Sequence, residues 1–325
     1  MTKRTYRIIA TEEHYWDPAL TKHFIARAGR TDSTQQRLYD LGAVRLKQMD
    51  EAGIDVQLLS HGAPSTQTLG IDIAARLATE TNDRLAQVCA ANPERFCALA
   101  ALPTVDPAAA AAELERTVSE LGFKGAMIHG LSNGEFIDHR KFWPIFAMAE
   151  KLDVPIYLHP SAPDSRVSAI YYDDYAKDFP LVARPAWGYT VETATQAIRL
   201  VLSGVFDAHP NLKIILGHLG ETLPFLLWRI DTALKRPGQR SIAFRDVFCR
   251  NFYVTTSGFF SDPALLCCVM ELGVDHILFA VDWPFVENGP GVEWMAAAPL
   301  SDEDKRKIFS QNAERLLKIA PAKAR

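Results

Sequence analysis

The sequence predicts a single (β/α)8 barrel, an α/β fold with loop insertions over its C-terminal mouth, and three observations carry that expectation. Eight short apolar runs recur along the 325 residues. Most are continuous rather than alternating, as parallel strands covered on both faces are. Each is followed by a helical pattern or a polar connection, and strand then helix, repeated, is the signature of this fold class. On a rough prior of ~150 residues per domain the length alone leaves one or two domains open. No Gly/Ser linker, repeat or shift in composition divides the chain, so residues 1–325 read as one barrel.

In order, the runs cover 7–11, 56–60, 96–102, 125–128, 155–158, 213–216, 252–256 and 277–281. Helical patterns at 74–91, 107–121, 142–151, 192–208 and 264–272 lie between or after them. Asp106-Pro107 reads as an N-cap with proline at the first helical position, and Asp262-Pro263 repeats that signal before what reads as the last helix. Gly122 and Gly273 sit where C-terminal glycine caps belong. The longest irregular stretches, 15–34 and 161–187, each follow a strand and so belong over the mouth, where long loops tend to serve function.

Composition excludes several classes. With 48% apolar and 23% charged residues, and only 18 Gly and 19 Pro, the chain is neither disordered nor low in complexity. Thirty-five basic against 39 acidic residues give a net charge of −4, so there is no electrostatic footprint for nucleic acid. Five cysteines, odd in number, in apolar surroundings and without a CxxC, read as buried thiols of a reducing cytoplasm. No apolar run approaches the ~18 residues of a membrane span, and the N-terminal segment lacks a secretory apolar region, so neither membrane nor export is expected.

In a barrel of this kind chemistry gathers at the C-terminal strand ends. The first run leads into Glu12 and His14, two apart and so on one side of an extended segment. The fifth leads into His159, the sixth into His218 and Glu221, the eighth into Asp282. Two histidines and two acids from this group make a nitrogen and oxygen ligand set for one divalent ion, Zn or Mn, and leave one histidine for acid/base work. A lone histidine at a strand end is more often a hydrogen-bonded structural residue. Acids beside apolar strands are seldom buried unless paired or bound to metal, however, and their coincidence at several strand ends favours a site. His61, ending the second run, divides between pocket lining and structure. His23, His129, His139, His209 and His276 read as structural or exposed. No phosphate-binding glycine pattern and no GxSxG elbow is present. Trp16, Trp187, Tyr189, Trp283 and Phe285 fall in or beside the mouth loops, where an apolar ring would meet them.

Five stretches resemble a known family: TEEH near the start, YLHP, the block from Glu192 to Asp231 (ETATQAIRLVLSGVFDAHPNLKIILGHLGETLPFLLWRID), NFYVTTSG and DWPF. Together, over residues 9–317, they are similar to the amidohydrolase-2 group of metal-dependent barrels. Within it they are closest to the non-oxidative decarboxylases of γ-resorcylate (2,6-dihydroxybenzoate) and related ortho-hydroxybenzoates. The resemblance implies that Glu12, His14, His159 and Asp282 hold the metal, that His218 and Glu221 are the active-site histidine and its acidic partner, and that Asp282 also donates the proton. It implies too that Arg229 meets the substrate carboxylate from a neighbouring subunit of a homodimer or homotetramer; the plainer reading of Arg229 is a surface ion pair, to Asp231 or elsewhere. Trp16, His61, Tyr189 and Phe285 complete the expected contacts with a small aromatic acid. Glu-x-His replaces the His-x-His of hydrolytic relatives, which favours reversible decarboxylation to a phenol and CO2. Tyr189 stands where γ-resorcylate decarboxylases have Phe, and Ala280-Val281 replaces their Ser-Thr, so the particular ring acid stays open. The alternative enzyme is a metal-dependent hydrolase or hydratase of a lactone or ring-cleavage product, with Asp282 activating water.

Overall fold

The computed structural model of the chain describes residues 6–24 and 32–321. Its strands are β1 (Ile9–Tyr15), β2 (Val56–His61), β3 (Phe96–Ala98), β4 (Ala100–Ala101), β5 (Ala126–His129), β6 (Ile156–His159), β7 (Ile214–Leu216), β8 (Phe252–Thr255) and β9 (Ile277–Leu278). All pairings are parallel, β1 to β3 in one ladder and β4 to β9 in another. Two joints turn these ladders into the expected barrel. At the first, the Leu99 N–H donates to Leu59 O and the Ala100 N–H to Gly125 O, both at 2.9 Å. The third run therefore changes partner in mid-course and is divided into β3 and β4.

At the second joint the Thr11 N–H donates to Phe279 O (3.0 Å), the Asp282 N–H to Glu12 O (2.9 Å) and the His14 N–H to Trp283 O (2.7 Å). Here the strand is shorter than the apolar run 277–281, for a physical reason. The next backbone N–H groups leave the ladder: Phe279 donates to Ile308 O, Ala280 to Thr256 Oγ1 and Val281 to Glu13 Oε1, each at 3.0 Å. Buried N–H groups need partners, and here side chains supply two of them.

One irregularity places the site. Ala10 lies opposite Gln57 but Glu13 lies opposite Leu59, so β1 carries one extra residue between them. Such a bulge reverses which side chains face inward, as bulges near sites commonly do. Ile9 belongs to the apolar layer inside the barrel with Leu58, Leu99, Met127, Tyr157, Ile215 and Leu278, closed off by Leu316 and Leu317 of the Asn312–Leu317 helix. Past the bulge, Glu12 and His14 join that interior and Glu13 turns to the other face.

The outer helices Ile71–Ala91, Pro107–Ser119, Trp143–Leu152, Gly188–Ser203 and Asp262–Leu272 answer the five predicted patterns. Gly204, at φ 88°, cuts the fourth pattern short and a separate turn, Val205–Ala208, follows. Asp106 caps its helix as expected, accepting from the N–H groups of Ala108 and Ala109 at 3.1 Å. Asp262 does not: Ser261 holds the N-cap position, and Asp262 is the first helical residue, accepting from Trp294 Nε1 at 2.8 Å. Nor is that helix the last, because Asn288–Ala297, Asp302–Arg306, Lys307–Gln311 and Asn312–Leu317 come after it. The two long stretches over the mouth are partly helical, with Pro18–Thr21 in one and Ser165–Tyr171 and Asp173–Ala176 in the other. Residues 25–31 of the first lie outside the described residues. No helix among the described residues is long and apolar enough to cross a membrane.

Candidate metal centre

β1 and β6 carry Glu12, His14 and His159 to one point inside the barrel mouth, and the turn after β9 brings Asp282 to meet them. One ligand atom from each of the four lies within 4.8 Å of the others. Glu12 is fully buried and its two oxygens are used differently. Oε2 accepts from the hydroxyls of Tyr157, Thr255 and Ser257, which lock the carboxylate in place. Oε1 accepts no hydrogen bond and faces His159 Nε2 at 3.2 Å and the Nε2 atoms of His14 and His218 at 3.8 Å. Gly217 makes room for it, since a Cβ there would lie 2.8 Å from Glu12 Oε2. Burial favours the neutral acid, but His218, His14 and His159 outweigh burial and hold this carboxyl well below its usual range.

The histidines are oriented by what their other nitrogens do. Ser60 Oγ lies 3.1 Å from His14 Nδ1, so that nitrogen is engaged on the strand side and Nε2 is turned inward. Pro160 O, an acceptor only, lies 2.7 Å from His159 Nδ1, so there Nδ1 carries the hydrogen and Nε2 presents its lone pair inward, with His129 Nδ1 behind it at 3.0 Å. His129 itself donates from Nε2 to His61 O at 2.8 Å, which leaves its Nδ1 as an acceptor. Burial pulls His14 down, yet Asp282 and Glu12 carry it up to about 9. A cation at this point would answer the same negative charge.

Asp282 occupies a left-handed conformation, φ 72°, which turns its carboxylate back over the site with Oδ1 3.3 Å from His14 Nε2. His218 opens a longer irregularity. Five consecutive residues, His218 to Thr222, have positive φ, and four of them are not glycine. Each such residue costs about 1–2 kcal/mol, and strain of this kind persists where the surroundings over-determine it. The turn sets His218 Nδ1 2.7 Å from Glu221 Oε1, while Thr190 Oγ1 donates to Glu221 Oε2 at 2.7 Å. Burial lowers His218, but Glu221, Glu12 and Asp282 together raise it to about 10.

The donor set fits a divalent metal ion. Glu12 Oε1, His14 Nε2 and Asp282 Oδ1 are buried without a hydrogen-bond partner among the described residues. Leaving them so would cost about 1–3 kcal/mol each, and they converge with His159 Nε2 on one point. Two imidazole nitrogens and carboxylate oxygens suit a first-row divalent ion.

The other expected site residues are distributed unevenly. Phe285 stands at the mouth with its ring 5.6 Å from that of His14. Tyr189 lines a neighbouring cavity of about 310 Å³. Trp16 lies in a separate buried cluster with Leu20, Phe24 and Leu38, away from the ligand atoms. His61 has both ring nitrogens on backbone, accepting from the Asp17 N–H at 3.0 Å and donating to Gly62 O at 2.9 Å; burial pushes it down to about 4, so it is a neutral structural group. Arg229 is exposed on the Leu223–Leu234 helix, and the ion pair with Asp231 does not form: Asp231 instead accepts from Lys235 Nζ at 2.6 Å and the Arg245 N–H at 3.1 Å. Tyr157, Thr255, Ser257 and Ser60, which steady the ligands, were not among the expected site residues, and His129, expected to be structural or exposed, is buried and backs His159. Period-two spacing was the available signal, since Tyr157 is two before His159 and Thr255 two before Ser257.

Residues 9–319 match the family model described as amidohydrolase. The γ-resorcylate decarboxylase of Rhodococcus jostii (strain RHA1) is 41% identical over 96% of this chain and 98% of its own length. The crystal structure of a 2,6-dihydroxybenzoate decarboxylase complexed with 2,6-dihydroxybenzoate superposes with a TM-score of 0.89 at 40% identity, covering 97% of this chain and 100% of the other. The dihydroxybenzoic acid decarboxylase of Polaromonas sp. JS666, with bound manganese and the inhibitor 2-nitroresorcinol, gives 0.90 at 38% identity, covering 98% of each chain.

Proposed function

The chain belongs to the amidohydrolase family, and from that premise we propose that it is a metal-dependent carboxy-lyase that replaces the carboxylate of an ortho-hydroxybenzoate by a proton. The observation that carries the reading is the convergence of Glu12, His14, His159 and Asp282 within 4.8 Å, overlooked by the His218–Glu221 pair. These four would hold one divalent ion, Mn or Zn, which when bound supplies a Lewis acid that orients the substrate and offsets its charge.

The protein groups do the rest. Asp282, in its protonated form, gives a proton to the ring carbon that bears the carboxylate. Electron release from the ortho oxygen makes that carbon basic. The bond between ring and carboxylate then breaks, its electron pair returns to the ring, and CO2 leaves; Asp282 is left as carboxylate and regains a proton from solvent. His218, charged and held by Glu221, hydrogen-bonds the ortho oxygen where negative charge collects. Phe285 and Tyr189 flank the ring. By microscopic reversibility the same groups carboxylate a phenol at high bicarbonate.

Arg229 is read as a contact to substrate across a homo-oligomeric interface. Phe225 and Trp228, 81% and 74% exposed on the same helix, support that, because apolar patches of this kind commonly mark association surfaces. Five free cysteines, of which only Cys268 is buried and the other four are half-buried where buried thiols were expected, support a reducing, cytoplasmic setting, and residues 1–325 are read as one catalytic unit. The test is release of CO2 and phenol from 2,6-dihydroxybenzoate and 2-hydroxybenzoate by the Mn-loaded protein, with molar mass measured by light scattering. Hydrolysis of lactones in place of CO2 release would overturn the reading, and a monomer would overturn the role of Arg229.

A further inference from the structure

The cavity beside the metal centre holds a cation that the reaction does not use. Its wall includes Phe24, Pro64, Leu131, Ser161, Arg184 and Tyr189 around about 310 Å³, enough for a substituted benzoate. Ser161 follows the ligand His159 by two residues, Leu131 follows His129 by two, and Pro64 follows His61 by three. The cavity therefore stands over the ends of β2, β5 and β6, while His218 and Asp282 stand beyond β7 and β9. Ser161 and Leu131 place this space at the same strand ends that carry His159 and His129, on the side where the far edge of a ring acid held at the ligand cluster would lie.

Arg184 is held there by its backbone. Its N–H donates to Leu181 O at 3.0 Å, and its carbonyl accepts from the N–H groups of Trp187 and Tyr189 at 3.2 and 3.1 Å. Gly188 lets this knot close against the helix that follows, because a Cβ there would lie 2.4 Å from Ala183 O. The guanidinium has no hydrogen bond or ion pair among the described residues. The acid nearest to hand is already engaged: Asp164, also on the cavity wall, binds Arg166 Nε at 2.8 Å and Nη2 at 3.2 Å and the Arg166 N–H at 2.9 Å. Glu192, under Gly130 and Ser161, is pushed up to about 7 by burial and by Asp164, and so offers a weak counter-charge.

We propose that Arg184 is a specificity determinant that receives a second carboxylate on the ring, so that the preferred substrates are hydroxybenzoates carrying two acid groups, the scissile one at the metal and the other in this cavity. The planar guanidinium, exposed at the rim of the cavity, matches a carboxylate through two parallel hydrogen bonds. The proposal rests on the decarboxylase reading of the neighbouring site.

The experiment compares 2-hydroxybenzoate with 4-hydroxybenzene-1,3-dicarboxylate, the same acid with a second carboxylate, on the Mn-loaded wild type, Arg184→Ala and Arg184→Lys. Wild type is expected to show a KM about tenfold lower for the diacid. Arg184→Ala should raise the diacid KM about tenfold more than that of the mono-acid, and Arg184→Lys should restore part of the difference. Calorimetry with benzene-1,3-dicarboxylate and benzoate, neither of which has an ortho oxygen, reads the same contact without turnover. Equal KM values in wild type, equal losses in Arg184→Ala, or equal calorimetric affinities overturn the role of Arg184. Absence of CO2 from every hydroxybenzoate overturns the decarboxylase reading alone, and calorimetry then decides Arg184 by itself.

Discussion

Glu12 and Glu13 are neighbours on β1, both fully buried, and they are put to opposite uses. Glu12 keeps one oxygen free among three imidazoles and is held ionised. Glu13 spends both oxygens on the opposite face, accepting from the backbone N–H of Val281 at 3.0 Å and of Trp283 at 3.1 Å, with Gln57 Nε2 at 3.4 Å. Burial pushes it up to about 8 in spite of those bonds and of Arg45 nearby. Burial is common to both, so it does not decide the role. What decides is whether an oxygen is left over, and for what kind of partner. The carboxylate with a spare oxygen is a ligand, and the one that replaces missing ladder bonds is a strut that closes the barrel.

The largest test of this contrast falls on the inward face. Asp282→Asn preserves shape and removes the transferable proton, so kcat is expected to fall about 10²–10⁴-fold while the circular dichroism spectrum stays unchanged. Near-normal turnover in that variant would end the proton-donor role of Asp282.

The two glutamates then separate by readout. Glu12→Gln should weaken Mn2+ binding at least about 100-fold, measured by titration with electron paramagnetic resonance, with little loss of thermal stability. Glu13→Ala should do the reverse. It leaves the Val281 and Trp283 N–H groups without acceptors and a hole in the barrel wall, a cost of about 2–4 kcal/mol of stability measured by urea unfolding, with Mn2+ affinity within tenfold. If both variants lose metal equally, the two faces of β1 are not distinct in function.

That distinction was only half legible in the sequence. Glu12 and His14 could be read as a pair because an extended segment alternates, and His159 and Asp282 because apolar runs end at them. The bulge that turns Glu12 inward beside Ile9 leaves no mark in composition, since it depends on the register against β2. Glu13 was invisible for a related reason: its partners are backbone N–H groups 268 and 270 residues away. His129 resembled any buried histidine until its Nε2 was seen on His61 O and its Nδ1 on a ligand. The left-handed turn from His218 to Thr222 is announced by a single glycine, Gly220, because the strain in the other four residues is set by tertiary packing. Arg229 was expected to pair or to reach a neighbour, and the bonds of Asp231 to Lys235 Nζ and the Arg245 N–H tell only against the pair with Asp231.

A third buried carboxyl sharpens the comparison with the smallest effect. Glu192 is 7% exposed, its Oε1 has no hydrogen-bond partner among the described residues, and burial followed by Asp164 raises it from 4.5 to about 7. It has neither the imidazoles of Glu12 nor the N–H donors of Glu13. Because the folded value is above the unfolded one, the folded state holds the proton more tightly. The stability linked to that proton is present in full below about pH 4.3 and is lost as pH rises through about 7. Wild type should therefore lose on the order of 2–3 kcal/mol relative to Glu192→Gln between pH 5 and pH 8, read as the difference between their stabilities in urea unfolding. The neutral amide removes the titration and keeps the shape, so changes in all other groups cancel in that difference. A gap that is the same at both pH values would mean that Glu192 is ionised throughout, which requires a donor or cation beside it and would move it from the unpartnered class to that of Glu12.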